Sequence, residues 1–167
     1  HTGLLAAALV LHADAAIVAQ GPGNLGTDSE WGYSGVAAGE TVNAVAVHGG
    51  RAVASLRVSQ ADPRERHRGI SHHSLTAYGR VAMAPADLPV PLLGGDFGER
   101  VLQQARELVL ECGGRLSLQE VETVGLVDAL ASSPVSLCTM GRSLDQDEAS
   151  FVAAAAAGRF AATLLSH

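Results

Sequence analysis

Apolar residues in this 167-residue chain fall into short runs broken by glycine, proline and charge, and the spacing within the runs alternates between helical and extended. Residues 2–11 are too short an apolar run to span a bilayer and are read as a buried helix packing on a sheet. Residues 15–20, Ala-Ala-Ile-Val-Ala-Gln, suit a strand buried on both faces, and a long glycine-rich loop over 21–35 follows. Residues 40–48 fit a helix stopped by Gly49-Gly50. A second buried strand is predicted over 53–58, then a helix over 71–78 with Ser71 as its N-cap. Residues 80–93 carry Pro85, Pro89 and Pro91, which places them in an extended, peripheral stretch. Val101, Leu102, Ala105, Leu108 and Val109 recur at helical spacing, so 97–112 is the clearest helix, stopped by Gly113-Gly114. Strand, helix, strand and long helix are then expected over 116–121, 124–131, 135–140 and 147–165, with Ser143 and Asp145 as candidate caps of the last. Repeated alternation of this kind implies an α/β fold, a layered α/β/α sandwich with a mostly parallel sheet.

The length fits one domain over 1–167, which should bury roughly 70% of its unfolded surface. Composition alters this picture in two ways. Aromatics make up only 4% of a chain that is 47% hydrophobic, so the core must be built from Ala, Val and Leu, and base-stacking platforms for nucleic acid are not expected. All eleven cationic side chains are Arg, which removes Schiff-base chemistry and the phosphate-binding lysine of a P-loop. A formal net charge of −6 argues against a general polyanion binder, so any anion handled here should be small. The long last helix is nearly all apolar around Arg159; it reads as deeply buried or as half of a homo-oligomer interface, and a membrane role is not expected. Cys112 and Cys138 form no C-x-x-C pair and are read as small, buried, reduced side chains. Without a disulfide framework or a cationic leader before the first apolar run, a cytoplasmic location is expected. The chain opens on His rather than Met, and the expectation is the C-terminal part of something longer.

Chemistry concentrates in residues 62–73, Asp-Pro-Arg-Glu-Arg-His-Arg-Gly-Ile-Ser-His-His, which hold three of the eleven arginines and three of the seven histidines. The segment starts at the C-terminal end of a predicted strand, where open α/β sheets place ligands. Arg64, Arg66 and Arg68, with His67, suit anion recognition. His72 and His73, in the first turn of a helix, should be neutral because the helix dipole disfavours imidazolium there; they can accept a proton or bind a divalent metal, with Asp62 orienting a histidine or joining the metal. Successive helical positions lie about a hundred degrees apart, so the two histidines need not serve one site. Gly21-Pro22-Gly23-Asn24-Leu25-Gly26-Thr27 has G-x-G-x-x-G spacing, yet no apolar helix stripe follows it, so the dinucleotide signal is weak. The alternative is that Gly21, Gly23, Gly26 and Thr27 bring backbone N–H groups and a hydroxyl to an oxyanion. Arg142 ranks as a lesser anion contact, Trp31 and Tyr33 as loop anchors, and His12 and His48 as residues at helix C-termini.

Taken together, Gly21-Pro22-Gly23-x-x-Gly26-Thr27, the stretch from Arg57-Val58-Ser59 through Asp62-Pro63-Arg64-Glu65-Arg66-His67-Arg68-Gly69 to Ser71-His72-His73-Ser74-Leu75-Thr76, and Thr139-Met140-Gly141-Arg142 resemble an actinobacterial-type family, domain-of-unknown-function family 3866, in its C-terminal half. The resemblance supplies no catalytic residues; it implies that the two loops belong together. The sequence reading is therefore a polar pocket formed by 21–27 and 62–73 for a small anionic ligand, a phosphorylated metabolite being one candidate, serving hydrolysis or group transfer. Arg66 and Arg68 would neutralise the anion, His72 or His73 would act as base or metal ligand, and Asp62 would orient. The rival is a non-catalytic ligand-sensing or assembly domain.

Overall fold

The computed structural model describes residues 1–20, 25–27 and 29–165, so Gly21 and Gly23 of the expected anion loop lie outside the described residues. The helices are α1 (Thr2–Leu5), α2 (Ala37–Val47), α3 (His72–Thr76), α4 (Gly95–Glu111), α5 (Leu126–Ala131) and α6 (Glu148–Thr163); the strands are β1 (Val58–Ser59), β2 (Gly69–Ile70), β3 (Ala86–Pro91) and β4 (Leu116–Val121). Single π-helical turns continue α1 over Ala6–Val10 and α3 over Ala77–Val81, and 3-10 turns lie at Ser34–Val36 and Glu65–His67.

The molecule mixes helix and strand, but it does not form one mostly parallel sheet. β3 and β4 pair in parallel, Ala86 opposite Leu116 through Pro91 opposite Val121, while β1 and β2 pair antiparallel, Val58 opposite Ile70. The predicted strand over 53–58 is an extended segment shared between the two ladders. The Asp87 N–H donates to the Ala52 carbonyl and the Ala54 N–H to the Asp87 carbonyl, and the chain then moves on to pair as β1.

The largest departure from the sequence reading is β3, which the prolines had made peripheral and which is buried along its whole length. Strand parity explains this. Ala86 and Leu92 donate their N–H groups toward the β4 side, to Arg115 and Val121, whereas Asp87 donates to the opposite side. Pro89 and Pro91 share the parity of Asp87, so their missing N–H groups fall on the flank where pairing ends at that residue. α6 covers β3 and β1 with Ala149, Val152, Ala153, Ala156 and Ala157, and α4 packs Val101, Ala105 and Leu108 against β2, β3 and β4. The core these surfaces enclose contains Leu56, Val58, Ile70, Leu88, Val90 and Leu116, aliphatic as the composition required. The face of α6 that is not buried includes Arg159, which donates to the carbonyls of Glu122 (2.6 Å) and Val124 (2.9 Å) ahead of α5.

Five other expectations are corrected. Residues 2–10 are helical but largely exposed, and 15–20 form no strand; Leu9, Leu11 and Ile17 face solvent, because among the described residues no sheet strand lies beneath them. Residues 135–140 also form no strand, only a single bridge between Thr139 and Arg142. Cys112 is buried, but Cys138 is exposed. α6 is preceded by Asp147 as N-cap residue rather than by Ser143 or Asp145, and His48 terminates α2 as expected. No helix among the described residues is long and apolar enough to cross a membrane.

If β3 is the centre of the core, Leu88→Ala should lower the unfolding free energy by about 2–5 kcal/mol, while Leu9→Ala at the exposed N-terminal turn should change it by less than about 0.5 kcal/mol. Urea denaturation of the two variants measures the contrast.

Candidate functional site

Two buried carboxylates organise the segment from β1 to α3. Asp147, at the start of α6, accepts hydrogen bonds from Ser59 Oγ (2.7 Å), the Gln60 N–H (3.2 Å), Ser150 Oγ (3.0 Å) and Arg142 Nε (3.1 Å). Burial works against its charge, but these donors together hold its carboxyl below the usual range. Ser59 Oγ in turn accepts from the Asp62 N–H (3.0 Å), which sets the turn leading into the charged segment. Asp62, whose side chain is fully buried, accepts from Arg64 through its backbone N–H, Nε and Nη2 at 3.0 Å each, and from Arg57 Nη2 at 3.4 Å; Arg142 Nη2 stands 3.6 Å away. The Arg64 hydrogen bonds, against the cost of burial, hold the Asp62 carboxyl far below the ordinary carboxylate range. Asp62 is thus a gathering point for guanidiniums. Arg142 cross-links the two carboxylates and is not among the residues lining the cavity described next.

Over this base lies a cavity of about 360 Å³, lined by Leu25, Gly26, Thr27, Arg57, Arg64, Arg66, His67, His73 and Met140. The described part of the glycine loop and the cationic segment therefore share one recess. Arg68, one of the two arginines expected to neutralise an anion, is exposed and does not line it, whereas Arg57, half-buried beside β1, does. Arg57 was detectable in sequence as the one charge interrupting the apolar alternation of 52–58, but the density of charge downstream drew attention away from it. A larger hollow of about 730 Å³ between the N-terminal segment and α2 has walls chiefly of Ala and Val, and none of residues 62–73 borders it.

The loop before the cavity is a hairpin. Gly26 bridges Tyr33, the Ser34 N–H donates to the Leu25 carbonyl (2.8 Å), and Thr27 Oγ1 bonds Ser29 Oγ (2.9 Å). No helix opens from Gly26 and Thr27 among the described residues, which removes the geometry a dinucleotide fingerprint requires. Tyr33 is the loop's buried anchor, while Trp31 is half exposed, with the Arg80 guanidinium 6.0 Å from its ring centre.

The histidines converge despite their helical phase. His67 ends the 3-10 turn, Gly69 with φ of 76° reverses the chain into β2, and Ser71 caps α3 by accepting from the His73 N–H (3.3 Å). The same Ser71 Oγ lies 2.7 Å from His67 Nδ1. Ring centres of His67 and His72 are 4.9 Å apart, those of His67 and His73 4.9 Å, and those of His72 and His73 4.3 Å. Tyr33 stacks on His73 at 3.9 Å and donates its hydroxyl to the His73 carbonyl (2.7 Å). Burial, then the guanidiniums of Arg57 and Arg64, push the His67 imidazole down to about 4; burial, then His72 and Arg57, push His73 down to about 4; His72 shifts the same way, through burial and then Arg66. All three are neutral lone-pair donors at pH 7. The arrangement can thus present guanidiniums to an anion while offering unprotonated imidazoles beside it.

These shifts set the pH dependence of folding. The unfolded chain takes up protons on His67 and His73 below the ordinary 6.5, while the folded state resists until about pH 4, so stability should fall as pH drops from about 6.5 to 4. Asp62, with its pKa depressed, stabilises fully above the ordinary carboxylate value and loses that contribution as pH falls below it. Denaturation midpoints at pH 7, 5.5 and 4.5 should therefore decrease in that order. Asp62→Asn, which leaves three partly buried guanidiniums without their carboxylate, should cost about 3 kcal/mol at pH 7, the lower end for a broken buried ion pair.

Residues 1–158 match the family described as "Protein of unknown function (DUF3866)". No curated protein and no solved structure matches the chain significantly. The match runs through the glycine hairpin, the arginine and histidine segment, Arg142 and most of α6, and so covers every residue from which the cavity is built: the chain belongs to the DUF3866 family.

Proposed function

We propose that the cavity is a binding site for a small anionic, phosphorylated metabolite, and that the protein acts on it as a hydrolase or group transferase. The observation that carries this reading is the arrival of Arg57, Arg64 and Arg66 at one recess that also contains two neutral imidazoles. Guanidinium forks match phosphate oxygens in geometry and charge. A recess of about 360 Å³ lies at the small end of the range for metabolite sites. Thr27 adds a hydroxyl at the rim, and Arg142 acts at one remove by holding Asp62 and Asp147 in register.

Arg57 and Arg66 take the role of anion contacts in this reading, with Arg64 fixed by Asp62. A histidine whose pKa is pushed below the ordinary value keeps its lone pair at neutral pH but is a weaker proton acceptor for a reacting hydroxyl. His67, His72 and His73 therefore serve better as ligands, or as orienting groups, than as strong general bases. The pairing of Arg57 and Arg64 with a carboxylate of their own chain weighs against the rival in which these arginines await another subunit. A ligand-sensing module would use the same cavity without turnover.

Inorganic phosphate should raise the melting temperature of the chelator-treated protein, with up to about 2.7 kcal/mol of added stability at a hundredfold excess over Kd. Arg66→Gln should abolish that shift, and Arg68→Gln, outside the cavity, should leave it unchanged. No shift with phosphate, or a shift that survives Arg66→Gln, would reject the anion site.

A further inference from the structure

His67, His72 and His73 each offer one ring nitrogen such that the three atoms lie within 4.8 Å of one another. Imidazoles bound to one tetrahedral metal at 2.0–2.1 Å have their donor nitrogens about 3.4 Å apart and their ring centres about 5 Å apart. The ring centres here, at 4.3 to 4.9 Å, already have nearly that spacing, and bringing the widest nitrogen pair into range takes about 1.4 Å, the scale of ring rotation. A second observation points the same way. His72 Nε2 is buried and has no hydrogen-bond partner among the described residues, a costly state for a group whose only purpose is packing. The other rings are held as ligands are held. Ser71 Oγ engages His67 Nδ1, leaving its Nε2 free to face a ligand, and Tyr33 clamps His73 by stacking on its ring and bonding its carbonyl.

We propose that His67, His72 and His73 form a trihistidine site for a divalent transition metal whose open coordination position faces the arginine-lined cavity, so that the metal and an oxyanion occupy the site together. Three neutral ligands leave the ion its full double charge, and imidazole donors suit zinc, copper, nickel and iron rather than magnesium or calcium. The guanidiniums of Arg57, Arg64 and Arg66 oppose a bare cation here, and an oxyanion bridging metal and arginines removes the conflict. Metal and anion must therefore favour each other's binding. This coupling rests on the anion site proposed above; the metal site itself does not.

Cobalt(II), added to the chelator-treated full chain in a non-coordinating buffer, is the probe. One equivalent should bind with the visible absorption of a four-coordinate ion, and His72→Gln, which removes a ligand outright, should weaken binding by at least the roughly tenfold that losing even an outer partner of a ligand costs. Paramagnetic broadening in the unaltered protein should reach the ring resonances of His67, His72 and His73 and spare His12, a readout that needs no variant to fold. Inorganic phosphate should tighten cobalt binding, and cobalt should tighten phosphate binding by the same factor. Binding that survives His72→Gln but is lost in His48→Gln would put the ion on the exposed His1–His48 pair and overturn the proposal. So would a protein that responds to phosphate yet binds no cobalt, a result that leaves the anion site standing. Cobalt bound at the three histidines with no coupling to phosphate would overturn the shared occupancy.

Discussion

A carboxylate with no solvent exposure is tolerable only when opposite charge and hydrogen-bond donors surround it, and Asp62 meets this requirement by drawing Arg57, Arg64 and Arg142 from three separate stretches of chain. The rest of the site depends on that demand. Arg57 leaves the strand that carries it, Arg64 folds back over its own turn, and Arg142 links the group to Asp147 at the start of α6. Two buried carboxylates thus hold three guanidiniums in place. Arg57 and Arg64 border the recess, where they lower the proton affinity of the imidazoles. Two of the guanidiniums that satisfy Asp62 are therefore among those that line the recess.

Much of this organisation was legible in the sequence where local periodicity and local need agreed. The helical stripe of Val101, Ala105 and Leu108, the Ser71 cap and the glycine stops after α2 and α4 were all readable, because each depends on residues within a few positions. β3 was misread because proline is a strong local signal whose meaning depends on which flank of a strand it faces, and that is set by partners thirty residues away. The N-terminal runs were misread for the complementary reason. Apolar composition shows that burial would be favourable, but nothing local shows whether a surface is present to receive it.

The site was legible as a location and less so in its assignments. Clustered Arg and His nominated residues 62–73, and the glycine loop and this segment do share a recess through Gly26 and Thr27. Asp62 looked like a residue for orienting histidines because carboxylates often act that way, but its burial among guanidiniums could be seen only in three dimensions. Helical phase seemed to separate His72 from His73. It matters little at a first turn, where long side chains reach back past the cap, and here both rings meet His67 just ahead of them.

The prolines of β3 bear on how far its sheet can extend. With ring nitrogens at 89 and 91, that flank of the strand presents carbonyl oxygens and no hydrogens, so an incoming strand would have its acceptors left facing acceptors. A two-stranded parallel ladder is a small sheet with every incentive to recruit neighbours. Two imino acids leave one side of it without backbone donors beyond Asp87, so the ladder ends where its own chain ends it.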